Sequence, residues 1–283
     1  MTERAQRLIF DIGMHHGQDT AYYLSLGNRV VAVDADPTLI DRAREKFKRD
    51  VEAGNLVLVH CAIAEEEGQS LDFYLSNMDE WNSLRQEVAE RRDAAKQIIK
   101  VQGRRLASLV AEHGVPYYCK IDIEGYDEVA LTTLKGAQTL PTFISVETEC
   151  SGEQGISEAE ALQTLETLKS LGYQRFKLID QATLISLSPD RKFYSLQYLA
   201  RKAAGKLLKR ISPSAEIGYR KRLRQELNYQ FAETASGPFG EQLSGDWFDY
   251  PTSKALLLRH RRDYFNLPTA SNYGFWCDWH ATV

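Results

Sequence analysis

No two cysteines in this chain stand at metal-finger or redox spacing, and no apolar run approaches the roughly 18 residues of a membrane span. The four cysteines, Cys61, Cys119, Cys150 and Cys277, are scattered. That spacing excludes a zinc ribbon and a disulfide framework, and they read as reduced, mostly buried thiols. A leader pattern is not read either: MTERAQRLIF has no basic stretch followed by an apolar core, so cytoplasmic residence is expected. Excess positive charge is absent, since 35 Lys and Arg against 39 Asp and Glu leave a net charge of -4, which argues against a nucleic-acid partner. Internal repeats and low-complexity linkers are lacking as well. What remains is 283 residues of ordinary globular composition, 43% hydrophobic and 26% charged, enough for one large domain or a domain with a sizeable insertion.

Short apolar, β-branched runs alternate with helical patterns through the first two-thirds, the signature of a parallel sheet with helices on both faces. The expected strands are RLIFDIG (7–13), RVVAVDA (29–35), LVLVHCAI (56–63), YYCKIDIE (117–124), FISVETE (143–149) and YQRFKLI (173–179). Between them QDTAYYLSL, PTLIDRAREKFKRDV, YDEVALTTLKG and ISEAEALQTLETLKSLG read as helices. In the last of these Ser157 and Glu160 form a capping-box pattern, and Gly172 ends the helix. Residues 64–105 interrupt the rhythm with a short strand, SLDFYLS, and a charged helix around EVAERRDAAKQ. Residues 181–272 read as an insertion, and a last strand within YGFWCDWHA, from 273, returns to a core formed by residues 1–180.

The stretch DIGMHHG, residues 11–17, ends a strand and opens a helix, placing backbone N–H groups and the positive end of a helix dipole at the carboxyl edge of the sheet. A dinucleotide site would read G-x-G-x-x-G; here Asp11, Gly13 and Gly17 give D-x-G-x-x-x-G, which disfavours a pyrophosphate. An acid in the loop repels anions and suits the charged amino end of a zwitterion. Asp34 closes the second strand about 20 residues on, where a carboxylate accepts the hydroxyls of a ribose. Cys61, Ala62 and Ile63 offer a small apolar slot for a base. Ribose plus amino acid without phosphate points to S-adenosylmethionine.

DIGMHHG (11–17), VDADP (33–37) and KIDIEG (120–125), followed by the SVE of residues 145–147, occur in order and at compatible spacing. On these motifs the chain resembles the FkbM-type family of S-adenosylmethionine-dependent methyltransferases over about residues 7–180. Met14 and His15 stand where the family has Ala-Asn, and Asp34-Ala35 where it has Glu-Pro. The resemblance implies a Rossmann-like class I α/β fold: a seven-stranded, mostly parallel sheet of order 3-2-1-4-5-7-6, with a long insertion before the last strand. It implies O-methylation of a hydroxyl on a sugar or small natural-product intermediate. It also implies a loop over the cofactor carrying Trp81, Asn82 and Ser83.

The cofactor-binding candidates are therefore Asp11, Gly13, His15, His16, Gly17, Asp34, Ala35, Cys61, Ala62 and Asp122. The catalytic candidates are Asp122, Glu124 and Glu147, acids that converge on one edge and whose repulsion makes one of them a usable base. Asp122 and Glu124 are expected to diverge, with Asp122 facing the methyl group. Three acids can also hold Mg2+, but no metal is expected. His15 and His16 face the methionine end of the cofactor as bases or as packing. Leu199, Ala203, Leu207, Leu208 and Ile211 lie at helical spacing among basic residues; a solvated helix is favoured over peripheral membrane contact. The aromatic, glycine-rich SGPFGEQLSGDWFDYP (236–251) is expected to form a substrate lid. The rival readings are a catalytically silent cofactor-binding protein and a nicotinamide-dependent oxidoreductase.

Overall fold

The computed structural model describes residues 6–76, 82–90, 97–148, 156–181, 184–190, 229–232, 235–266 and 277–283, with isolated positions between 200 and 212. In chain order the first elements are β1 (Leu8–Ile12), α1 (Gln18–Ser25), β2 (Arg29–Asp34), α2 (Pro37–Lys46), α3 (Lys48–Glu52) and β3 (Leu56–His60). Then come β4 (Ala62–Ile63), β5 (Ser70–Leu75), α4 (Gln86–Ala89), β6 (Gln97–Arg104), α5 (Leu106–His113), β7 (Tyr118–Ile121), α6 (Asp127–Thr133) and β8 (Phe143–Glu147). The remainder are α7 (Glu158–Leu171), β9 (Arg175–Asp180), β10 (Ile185–Ser186), α8 (Tyr250–Phe265) and β11 (Cys277–Thr282).

The main sheet has the order β10-β9-β11-β8-β7-β1-β2-β3. Strands β3, β2, β1, β7 and β8 pair in parallel, while β11 lies antiparallel between β8 and β9. Apart from the two-residue β10 at one edge, which makes eight strands instead of seven, this is the expected order. Covered on both faces, the strands are almost continuously buried rather than alternating. Phe10, Ile12, Val31, Cys119, Ile144, Leu178 and Trp279 build one core with residues of α5, α6, α7 and α8. Ile9, Val30, Ala32, Tyr118 and Phe143 meet α1 and α2 on the other face. Each fully buried large side chain there contributes about 1.5–3 kcal/mol.

Helix ends follow local chemistry. Asp36 caps α2 by accepting from the Thr38 amide at 2.7 Å, with Pro37 in the first turn. The α7 capping box is complete: Ser157 Oγ accepts from the Glu160 amide, and Glu160 accepts from the Ser157 amide at 2.7 Å.

The structure departs from the sequence reading in four places. LVLVHCAI breaks at Cys61, because the Cys61 amide donates to the Asp34 carbonyl and the chain leaves the main sheet. Ala62–Ile63 then joins β5 and β6 in a second sheet of order β4-β6-β5. Of the charged helix within 64–105 the described part is α4, residues 91–96 lie outside the described residues, and residues 97–104 form a strand: β-branched Ile98, Ile99 and Val101 pair antiparallel with β5. Helices α5 and α8 lie in stretches assigned to no helix. YYCKIDIE stops at Ile121, because Glu124 and Gly125 turn with φ 47° and 88°.

Candidate active site

Five strand ends meet at the carboxyl edge: β1, β2, β7 and β8 terminate there, and antiparallel β11 begins there, with Asp278 opposite Glu147. The loop after β1 is fixed by its backbone. Gly13 and Met14 amides donate to the Val33 carbonyl, and the His15 amide donates to Asp34 Oδ2 at 2.9 Å. Gly13, at φ 79°, lies so close to β7 that a Cβ would stand 1.9 Å from the Asp122 carbonyl oxygen. Gly17, at φ 69°, caps α1, and a Cβ there would strike Phe47. Both glycines are demanded by close approach and left-handed backbone.

Beneath this loop sits a buried charge cluster. Lys120 is 4% exposed, and its ammonium donates to the Gly13 carbonyl at 2.9 Å. It lies 3.4 Å from Asp11, 3.4 Å from Asp122 and 3.7 Å from Asp19. Burial opposes its charge, but the three carboxylates outweigh burial and hold its pKa above the ordinary value. Asp11 is fully buried, and Thr20 donates to its second oxygen at 2.6 Å. Its carboxylate is thus engaged from below by Lys120 and Thr20, whereas the sequence reading had it meet a charged ligand end. Asp19 is pushed up to about 6 by burial, against the pull of Lys120, and both its oxygens accept from the Ser236 amide.

Asp34 is half-buried at the end of β2, with its two oxygens accepting from the amides of His15 and Asp36. Burial pushes its pKa up to about 7. The capping role falls to Asp36, which leaves Asp34 at the edge where a ribose is expected. Asn82 ties Asp36 at 3.0 Å and accepts from Ser76, while Ser83 Oγ donates to the Glu124 carbonyl at 2.7 Å. This segment therefore bridges the ends of β2 and β7; Trp81 lies outside the described residues. Ala35 is half-buried, and its carbonyl contacts the His60 ring at 3.1 Å. Cys61 and Ala62 are 2% and 3% exposed. Cys61 packs in the main core, its thiol pushed up to about 12 by burial, and Ala62 packs in the second sheet. They border the edge as packing, not as an open slot.

Asp122, Glu124 and Glu147 each bring a carboxylate oxygen within 4.8 Å of the others. The expected divergence of Asp122 and Glu124 does not occur: residues two apart on a strand share a face, and here the strand has ended and the Glu124 backbone turns. Burial pushes Glu147 well above the carboxylate range, and Asp122, Glu124, Asp127 and Asp278 push it further. Asp278, 4% exposed, is pushed up to about 7 by burial and by Asp122, and accepts from Gln181. Lys120, Asp19 and Asp278 carry much of the electrostatics without having been singled out. For Lys120 and Asp278 the available signal was a charged residue inside an otherwise buried strand; Asp19, in α1, carries none.

The aromatic segment takes another position. From Ser236 it descends over the sheet face: Phe239 stacks on Tyr118 at 4.5 Å, Glu241 pairs with Arg7 at 3.0 Å, and the Leu243 and Ser244 carbonyls accept from buried Lys177. Its rings cover a stretch of sheet whose inward polar groups, among them His280 at 1% exposure with a pKa lowered by burial to about 3, need covering. Only its start at Ser236 reaches the site. The basic run is described at few positions, with Leu207 and Ile211 exposed. Among the described residues no helix is long and apolar enough to cross a membrane.

A parallel sheet of this order, with a glycine loop after β1, an acid closing β2 and acids at the ends of β7 and β8, defines the class I methyltransferase arrangement. A Methyltransferase FkbM domain model matches residues 11–175. The chain belongs to the FkbM methyltransferase family, whose methyl donor is S-adenosylmethionine. Among solved structures, it is similar to an FkbM methyltransferase from Methylobacillus flagellatus KT, at 15% identity and TM-score 0.43, over 61% of this chain and 40% of that one. A phosphoethanolamine N-methyltransferase 2 from Haemonchus contortus, solved with S-adenosyl-L-methionine, shares 13% identity and TM-score 0.39 over 99% of this chain and 49% of that one. A precorrin-6y C5,15-methyltransferase from Geobacter metallireducens GS-15 shares 14% identity and TM-score 0.32, covering 62% and 70%. No curated protein matches the chain.

Proposed function

We propose that the protein transfers the methyl group of S-adenosylmethionine to a hydroxyl oxygen of a sugar or small natural-product intermediate. The observation that carries this reading is the meeting of Asp122, Glu124 and Glu147 within 4.8 Å at the edge where the family binds its cofactor. The cofactor supplies an electrophilic methyl group on sulfur. The Gly13–Gly17 loop and Asp34 hold its amino-acid and ribose ends. Lys120 fixes that loop from below through the Gly13 carbonyl. Asp122, tethered to Lys120, faces the reacting edge. Glu147 would take the proton of the acceptor hydroxyl; burial, reinforced by the neighbouring acids, raises its basicity. Positioning and exclusion of water supply most of the remaining acceleration.

The test measures S-adenosylhomocysteine formation over a panel of hydroxylated sugars and polyketide-like alcohols, with amines as comparison acceptors. Turnover with a hydroxyl acceptor that falls about 10²-fold or more in Glu147→Gln, with cofactor affinity kept, is expected from loss of a general base. Turnover only with amines would overturn the O-methylation reading. Tight cofactor binding without turnover on any acceptor would favour a silent binding protein.

A further inference from the structure

His15, which stands where the family's pattern has Asn, and His16 beside it enter the site just described through the His15 amide. The structure gives them another setting. Their rings lie 4.0 Å apart and border a cavity of about 320 Å³ between the loop and α2. Arg42 and Lys46 of α2 form its opposite wall, and Leu39 and Ala43 its apolar floor. Lys46 donates to the His16 carbonyl at 2.7 Å, so the two walls are joined.

Arg42 and Lys46 are four residues apart on one helix face, a mildly unfavourable like-charge arrangement. Among the described residues neither has a carboxylate within ion-pair distance. On the same helix Arg44 is treated differently: Asp41 holds it at 2.6 Å, away from the cavity. Burial lowers the Lys46 pKa, with no facing acid to offset it. In a chain of net charge -4, this places two cations beside two imidazoles around one concavity, and among the described residues no carboxylate pairs with Arg42 or Lys46.

We propose that this cavity binds a phosphate group. A guanidinium fork, an ammonium and two imidazoles reach it from two elements, which suits a tetrahedral oxyanion with several acceptor oxygens better than a planar carboxylate. The apolar floor lowers the local dielectric and strengthens these contacts. Since the His15 amide also holds Asp34, an anion drawn in here bears on the loop that frames the cofactor's ribose end. The proposal is independent of which acceptor is methylated. The phosphate can arrive free or as the ester of a larger molecule.

The test is titration calorimetry of the full chain, without S-adenosylmethionine, in a phosphate-free buffer at ~0.15 M chloride to screen diffuse charge. The probes are inorganic phosphate, glucose 6-phosphate and glucose. The expected result is saturable one-to-one binding of phosphate, of glucose 6-phosphate or of both, none of glucose, and loss of about tenfold or more in Arg42→Gln/Lys46→Gln, as removing charge-assisted contacts requires. Arg44→Gln, outside the cavity, should bind as the parent does. Tighter binding of glucose 6-phosphate would assign the pocket to an ester, and equal binding to the phosphate group alone; both support the proposal. Saturable binding of neither anion overturns it, as does equal weakening in Arg44→Gln. If the double variant does not fold, Arg42→Gln alone carries the comparison. S-adenosylmethionine is titrated separately, so its failure to bind would count against the methyltransferase reading and not against this one.

Discussion

The half-buried Asp34 should make cofactor affinity depend on pH. Burial raises its pKa to about 7 although two amides donate to it. A ribose's two hydroxyls can only donate to the carboxylate, so the cofactor binds the ionised form. Apparent affinity then scales with the ionised fraction: nearly flat above pH 8, halved at about pH 7, and falling about tenfold per unit below that, since one unit is 1.36 kcal/mol. At pH 6 the expected loss is about tenfold. Asp34→Asn should bind about 10- to 100-fold more weakly at pH 8, the value of a charge-assisted hydrogen bond, and should lack most of this dependence. Titration calorimetry from pH 5.5 to 8.5 in two buffers of different ionisation enthalpy would report both affinity and protons released. A parent affinity that stays flat from pH 8 to 6, or an Asn variant with the same slope, would refute the assignment. Asp19 and Asp278, raised to about 6 and 7, titrate in the same window, which is why the variant is the deciding comparison. The raised carboxyl also bears on stability. The unliganded fold prefers protonated Asp34, so it is favoured at low pH and loses that contribution as pH rises from about 4 through 7.

Other perturbations have definite signs. Lys120→Met leaves buried Asp11 and Asp19, and half-buried Asp122, without their cation and should cost about 3–5 kcal/mol in urea unfolding. The loss should be greater at pH 8 than at pH 5, which lies below the raised pKa of Asp19. Gly13→Ala should lower stability by about 2 kcal/mol or more and abolish cofactor binding, because φ is 79° and the new methyl meets the Asp122 carbonyl. Ser157→Ala removes one half of a capping box remote from the site. It should cost about 1 kcal/mol in thermal unfolding and leave cofactor affinity unchanged.

The strands of the main sheet and both glycine turns were legible because parallel strands and D-x-G loops leave dense local signals, whereas the order of the strands came from the family resemblance. The ribose-side acid was distinguishable from the helix cap only in three dimensions: Asp34 and Asp36 are equivalent on paper, and the Thr38 amide decides between them. Strand β6 was hidden because QIIKVQGR follows a charged helical stretch, and its partner β5 lies across a loop. Helix α8 was missed because its aromatic entry reads as a loop until Asp249 caps it. The charge cluster was half-visible. Asp11 and Asp122 belong to motifs, but nothing local marks Asp19, whose role depends on Ser236 some 217 residues away.

The position of β11 bears on how the chain reaches its final form. Strands β8 and β9 are consecutive in the chain, joined through α7, yet they are not neighbours in the sheet; β11 lies between them, with its residues matched to both. While the chain is being made, residues up to 180 can assemble β3-β2-β1-β7-β8 in order but must leave a strand-wide gap beside β8. Until residues 277–282 emerge, the polar backbone edges of β8 and β9 are open to each other and to other chains. Such edges are templates for mispairing. Joining β8 directly to β9 would place Glu147 beside the wrong partner and would keep Asp278 away from the edge. Closing the sheet and completing the acid cluster are thus one event, and it waits until residues 277–282 have followed every other strand of the main sheet.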